Sequence, residues 1–122
     1  MAGQRHILDL IIESEPFRSL LKQVRDGDGD ATVSQLCGSS RSALLAALMI
    51  ESPGQRLIIT PDDESAENIA NDINEFIGER AAYHFPEWGV DPYQWRPPVP
   101  TVVGTRLEAL RRLQDSSAFT HC

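Results

Sequence analysis

The amino-acid pattern predicts an α/β fold, a short parallel sheet with crossover helices stacked in three layers and preceded by N-terminal helices. Three observations predict it. Strand-type segments, "ATVSQLC", "QRLIITP" and "AAYHF", alternate with the helix-type segments "SALLAALMIE" and "ESAENIANDINEFIG". Each intervening helix is ten residues or longer, the kind of connection that parallel neighbours need. The 122 residues are 41% apolar, enough for one modest core and not for two.

The elements follow in order. In "RHILDLIIE", residues 5–13, Ile7, Leu8, Ile11 and Ile12 recur at helical spacing and mark a short amphipathic helix. Pro16 permits a fresh helical start, and Phe17, Leu20, Leu21 and Val24 form one stripe that runs to the acidic, glycine-rich "DGDGD" of residues 26–30. That stretch resembles a calcium loop only superficially. Counted from Asp26, the twelfth position, where a bidentate glutamate would close an EF-hand, is Cys37, so the segment reads as a solvated connector.

The helix of residues 64–78 carries the clearest signal. Ala66, Ile69, Ala70, Ile73, Phe76 and Ile77 share a stripe; Asp62 and Asp63 suit its positive N-terminal end, and Gly78 suits a left-handed closing residue. Glu64, Glu67, Asp72 and Glu75 fall on its outward side as a solvated face. The segment "PEWGVDPYQWRPPVP" then holds five of the eight prolines and both tryptophans, and is extended. In "TVVGTRLEALRRLQ" helical spacing returns, with Val103, Leu107, Leu110 and Leu113 expected inward. The chain is divided into N-terminal helices and connector (1–30), an α/β domain (31–114) and an end without closing structure (115–122). A three-stranded sheet ending on a helix is expected to be a piece of something longer.

Charge and cysteine usage narrow the function. A net charge of −7 disfavours a general affinity for nucleic acid or anionic membrane, both of which need a positive field. Two cysteines, Cys37 in an apolar run and Cys122 at the last residue, suit a reduced cytoplasmic protein, with Cys37 a buried thiol. No signal peptide or bilayer-spanning segment is expected. The three histidines, His6, His84 and His121, lack metal-ligand spacing, and no nucleophile elbow or poised acid–base pair stands out.

Residues 35–42 have the outline of a phosphate loop. In a working loop, glycines let backbone N–H groups wrap the phosphates, a lysine reaches the terminal phosphates, and a hydroxyl holds magnesium. Here Gln35 and Ser40 stand at the two glycine positions, Arg41 replaces the lysine, and Ser42 keeps the hydroxyl; Gly38 survives inside the loop. Side chains where Cβ is a steric problem, and a guanidinium for a compact ammonium, argue for a degenerate nucleotide loop over Gly38, Ser39, Ser40, Arg41 and Ser42. A weak anion site or a small nucleotide hydrolase remains as the alternative.

Trp88, Tyr93, Trp95 and Arg96 are of the types enriched in binding hot spots, and two readings stand: contact with a partner, as in a stand-alone protein-binding module, or local packing. Arg106, Arg111 and Arg112 give the last helix a basic side, open to nucleic acid, to another domain or to solvent.

The ordered set "CGSSRSALLAAL", "RLIITPDDESAENIANDINEFIG", "HFPEWGVDPY" and "PTVVGTRLEALRRL" resembles the N-terminal, UvrB-like region of the bacterial transcription-repair coupling factors (Mfd) over about residues 15–114. The resemblance implies a partial P-loop-NTPase-like fold. It also implies a role in transcription-coupled nucleotide excision DNA repair, in which the family recognises RNA polymerase stalled on damaged DNA, displaces it with an ATP-driven translocase of helicase type, and recruits UvrA. The UvrB-like module in this family is noncatalytic and has lost its nucleotide site, in agreement with Gln35, Ser40 and Arg41. ATP and magnesium belong to the motor of the full-length proteins, so no cofactor is implied for these residues. The UvrA-contacting residues are expected beyond Cys122. What the resemblance leaves here is a scaffold for UvrA recruitment and for intramolecular contacts that restrain the whole factor.

Overall fold

In the computed structural model, which describes residues 2–27 and 29–115, five helices carry the chain: α1 (Ala2–Glu13), α2 (Glu15–Asp26), α3 (Ser40–Glu51), α4 (Asp63–Ile77) and α5 (Pro100–Gln114). The expectation for 115–122, with His121 and Cys122, falls outside the described residues except for Asp115, and Asp28 of the connector lies outside them as well.

No strand occurs among the described residues, and the predicted α/β fold with a parallel sheet is thereby overturned. A strand pattern is local, whereas a sheet exists only when neighbouring backbones exchange hydrogen bonds. Residues 55–60 show why the pattern misled: Arg56, Ile58 and Thr60 are half-buried while Gln55, Leu57 and Ile59 face out, a period of two without a ladder. In 31–37, Gln35 takes φ 63°, the left-handed region, which interrupts the extended run. Around Ala81 and Ala82 a side chain supplies most of the backbone pairing, beside one local bond from the Ala81 N–H to the Glu79 carbonyl at 3.0 Å. Asn74 Oδ1 accepts from both N–H groups at 2.8 Å, and its Nδ2 donates to the Ala82 carbonyl at 3.0 Å.

The core lies where α1, α3 and α4 meet, with α2 against α1. Leu8 of α1, Phe17 and Leu21 of α2, and Ile73 of α4 are buried around α3. In α3 the small residues Ala43, Ala46 and Ala47 allow helices to approach closely. The serine Ser42 continues that buried face, and its hydroxyl donates to Asp72 Oδ2 at 3.1 Å. Asp72 thus faces α3, correcting its place on a solvated face, whereas Glu64, Glu67 and Glu75 are exposed.

Helix ends follow the sequence closely. Gly27 closes α2 at φ 63° with its N–H on the Gln23 carbonyl, and Gly78 closes α4 at φ 83° with its N–H on Asn74. Asp62 caps α4 by accepting from the Ser65 N–H at 2.7 Å. That bond, with the Ser65 hydroxyl adding to it, holds the Asp62 carboxyl below the usual carboxylate range. α3 has no basic residue in its own last turn. Arg25 donates to its Glu51 carbonyl at 2.6 Å, and Arg56 to the carbonyls of Leu48 at 3.3 Å and of Ser52, so cations from outside the helix meet its negative end.

α5 rests on extended chain. Arg80 makes a two-pronged bond to Glu108 at 3.0 and 3.1 Å, and Gln55 donates to the Leu113 carbonyl at 3.2 Å. Ala109 is its buried residue, and Leu107, Leu110 and Leu113 are exposed, which corrects their expected inward placement. Cys37 is also exposed rather than buried. Among the described residues no helix is long and apolar enough to cross a membrane.

Candidate functional site

The loop that the sequence reads as degenerate begins where the chain leaves residues 31–37 and ends in the first turn of α3. Gly38 takes φ 53°, and Ser39 precedes α3 without a side-chain capping bond. The Ser40 hydroxyl turns back to donate to the Cys37 carbonyl at 2.6 Å, and the Ser40 N–H reaches the same carbonyl at 3.1 Å. Ser42, whose hydroxyl would hold magnesium in a working loop, is 2% exposed and is bonded to Asp72. Arg41 is exposed and lines an open groove of about 480 Å³ between α2, α3 and residues 29–36, among Leu20, Val24, Leu44 and Leu45. The five loop residues therefore share one turn, but the Ser40 and Ser42 hydroxyls turn to separate partners, the Cys37 carbonyl and Asp72. Among the described residues no three His, Cys, Asp or Glu side chains come together as a metal cluster.

The aromatic and basic residues divide into two groups. The Arg106 guanidinium lies 3.9 Å from the Phe85 ring centre and 4.2 Å from that of Trp88, and donates to the Pro86 carbonyl at 2.5 Å. These are cation–π contacts, and they clamp α5 to residues 85–88. Arg112 lies 5.3 Å from the Tyr83 ring, which Arg80 also covers at 4.8 Å. Arg111, in the last turn of α5, is exposed.

Tyr93, Trp95 and Arg96 stand apart from these packed residues. Tyr93 is 91% exposed and Trp95 103%, and Arg96 is exposed beside them. Their segment starts at a turn built on Asp91, whose side chain accepts from the Tyr93 N–H at 3.1 Å and whose carbonyl accepts from the Gln94 N–H at 2.9 Å. It ends at α5, where the Val99 carbonyl accepts from Val102 and Val103.

Two contacts had no signal in the sequence pattern. His84 Nε2 lies 2.9 Å from Asp63 Oδ1, which also accepts from the Glu87 N–H at 3.2 Å, so the start of α4 holds residues 84–87. Only the acid at a helix start was visible beforehand, not its partner some twenty residues on.

Neither protein-family models nor solved structures give a match to this chain. Curated proteins do. The chain is 27% identical over 107 residues to the transcription-repair-coupling factor of Mycobacterium tuberculosis and likewise to that of Mycobacterium bovis, in each case covering 88% of this chain and 8% of the relative. It is 24% identical over 113 residues to the transcription-repair-coupling factor of Bacillus subtilis, covering 93% of this chain and 10% of that protein. The chain thus spans a tenth or less of the length of the curated relatives it matches. Along about nine-tenths of its own length, the chain is similar to a short stretch of the transcription-repair-coupling factors, the family whose motifs its sequence resembles.

Proposed function

We propose that the chain is a noncatalytic scaffold within transcription-coupled nucleotide excision repair, supporting UvrA recruitment and making the intramolecular contacts that restrain a coupling factor. The observation that carries this reading is the similarity along about nine-tenths of the chain to proteins named transcription-repair-coupling factors. Two features of the loop support the noncatalytic part. The Ser42 hydroxyl is engaged by Asp72 in the packing of α3 on α4, and Arg41 sits among leucines rather than over a phosphate cradle. RNA polymerase and DNA enter as partners of the whole factor, while Tyr93, Trp95 and Arg96 supply this chain's own contact surface.

Two measurements test it. A ligand that binds only the native state stabilises it by mass action, so millimolar ATP with Mg²⁺ is expected to leave the melting temperature unchanged. A rise of several degrees would assign residues 38–42 to nucleotide and revive the hydrolase reading. In cells, deleting the gene is expected to remove the faster repair of the transcribed strand after ultraviolet damage; an unchanged strand bias overturns the repair role.

A further inference from the structure

We propose that residues 95–99, running into Pro100 at the start of α5, form a polyproline II ligand for a partner protein whose groove is lined by aromatic rings and carries a carboxylate for Arg96. This rests on the reading of Tyr93, Trp95 and Arg96 as a contact surface and gives that surface a mode of recognition.

Covalent structure alone directs the conformation. In "WRPPVP" every residue from Arg96 to Val99 is a proline or precedes one. Proline locks φ near about −65°, and a residue before proline is pushed out of the helical region toward extended and polyproline II angles. Val99, at φ −61° and ψ 130°, lies in that region. Polyproline II has about three residues per turn and no internal hydrogen bonds. Trp95 and Pro98 therefore share one edge, Arg96 and Val99 a second, Pro97 and Pro100 a third. The second and third edges are exposed throughout; on the first, Pro98 is half-buried and Trp95 stands free.

The segment is also held at both ends. The Asp91 turn fixes its start, and the Val99 carbonyl begins the hydrogen bonding of α5 at its finish. A ligand already in its bound shape loses little entropy on docking, the reason that prolines placed three apart serve as recognition elements for aromatic grooves. Arg96 supplies the planar cation that a carboxylate at the groove edge meets with two parallel bonds. Protein is favoured over single-stranded nucleic acid, which exposed aromatics and arginine also suit. The chain carries a net charge of −7, and Glu87 and Asp91 are exposed on the same stretch.

The test uses isolated SH3 and WW domains, which read polyproline II segments, as probes of the intact chain by amide chemical shifts and by tryptophan emission, to which Trp88 and Trp95 both contribute. At least one domain is expected to shift residues 95–100 and move the emission to the blue. Pro97→Ala with Pro98→Ala is expected to weaken that binding at least tenfold, with an unchanged far-ultraviolet spectrum showing that the fold is intact. Binding by no domain, or binding indifferent to the proline changes, overturns the proposal. So does saturable quenching by oligothymidylate at physiological salt, which would make the segment a base-stacking surface. The contact surface itself is read separately in the strand-bias assay. Loss of bias with Trp95→Ala but not with the proline pair keeps the surface and removes its polyproline mode; no loss with either removes both.

Discussion

Arg106 fastens α5 to the chain through two aromatic rings and one carbonyl, and none of those partners is closer than eighteen residues in sequence. The basic spacing of α5 was visible in the sequence, but the rings that cover this cation were not, because they approach only after the segment before Pro100 folds back. Asp62 is the opposite case. An acid just before an apolar-periodic helix with a serine three positions on is a local signal, and the cap forms as that signal requires. Its carboxyl is held below the usual range in the folded chain. The stabilisation is therefore complete above the ordinary aspartate value of about 3.9 and is lost as pH falls through the depressed folded-state value. Asp62→Asn keeps an acceptor without the titrating group. It is expected to melt close to the parent at neutral pH and to show a shallower fall in melting temperature in acid, whereas Asp62→Ala melts lower at neutral pH. Thermal melts across the acid range check both.

At the scale of elements, helices were legible and strands were not. A helix bonds within itself, so periodicity and end residues suffice: Phe17 and Leu21 of α2, and Ala70 and Ile73 of α4, are buried on the stripes that the spacing marks. The strand-type runs needed neighbours that no local pattern supplies. At Ala81 and Ala82 the amide of Asn74 takes the place that a paired strand would hold. Asn74→Ala would leave the Ala82 N–H and carbonyl without partners at a partly buried position, and the Ala81 N–H with only its bond to the Glu79 carbonyl. A loss of about 1–3 kcal/mol per orphaned group bounds the effect, and chemical denaturation measures it. Asn74→Asp keeps the acceptor for both N–H groups and is expected to fall between the two.

For the molecule as a whole, the small residues of α3 decide how close its neighbours come, and Ile73 fills the space that they leave. Ile73→Ala is expected to cost about 2–5 kcal/mol, because a fully enclosed site relaxes poorly around the void. The denaturant midpoint should fall with an unchanged slope; a changed slope would mean that the variant alters compactness instead. The candidate site was legible at the same uneven level. From sequence alone, Gln35, Ser40 and Arg41 at the glycine and lysine positions give only the expectation of a degenerate loop. That Ser42 turns inward to Asp72 could not be read, since the two are thirty residues apart.

The guanidinium groups of Arg25 and Arg56 converge on the closing carbonyls of α3 from opposite directions along the chain. One arrives from the last turn of α2, the other from the extended run before α4. Through these bonds both regions hold the closing turn of α3. Loss of either arginine is therefore expected to speed amide exchange in the last turn of α3, a helix end that neither residue belongs to.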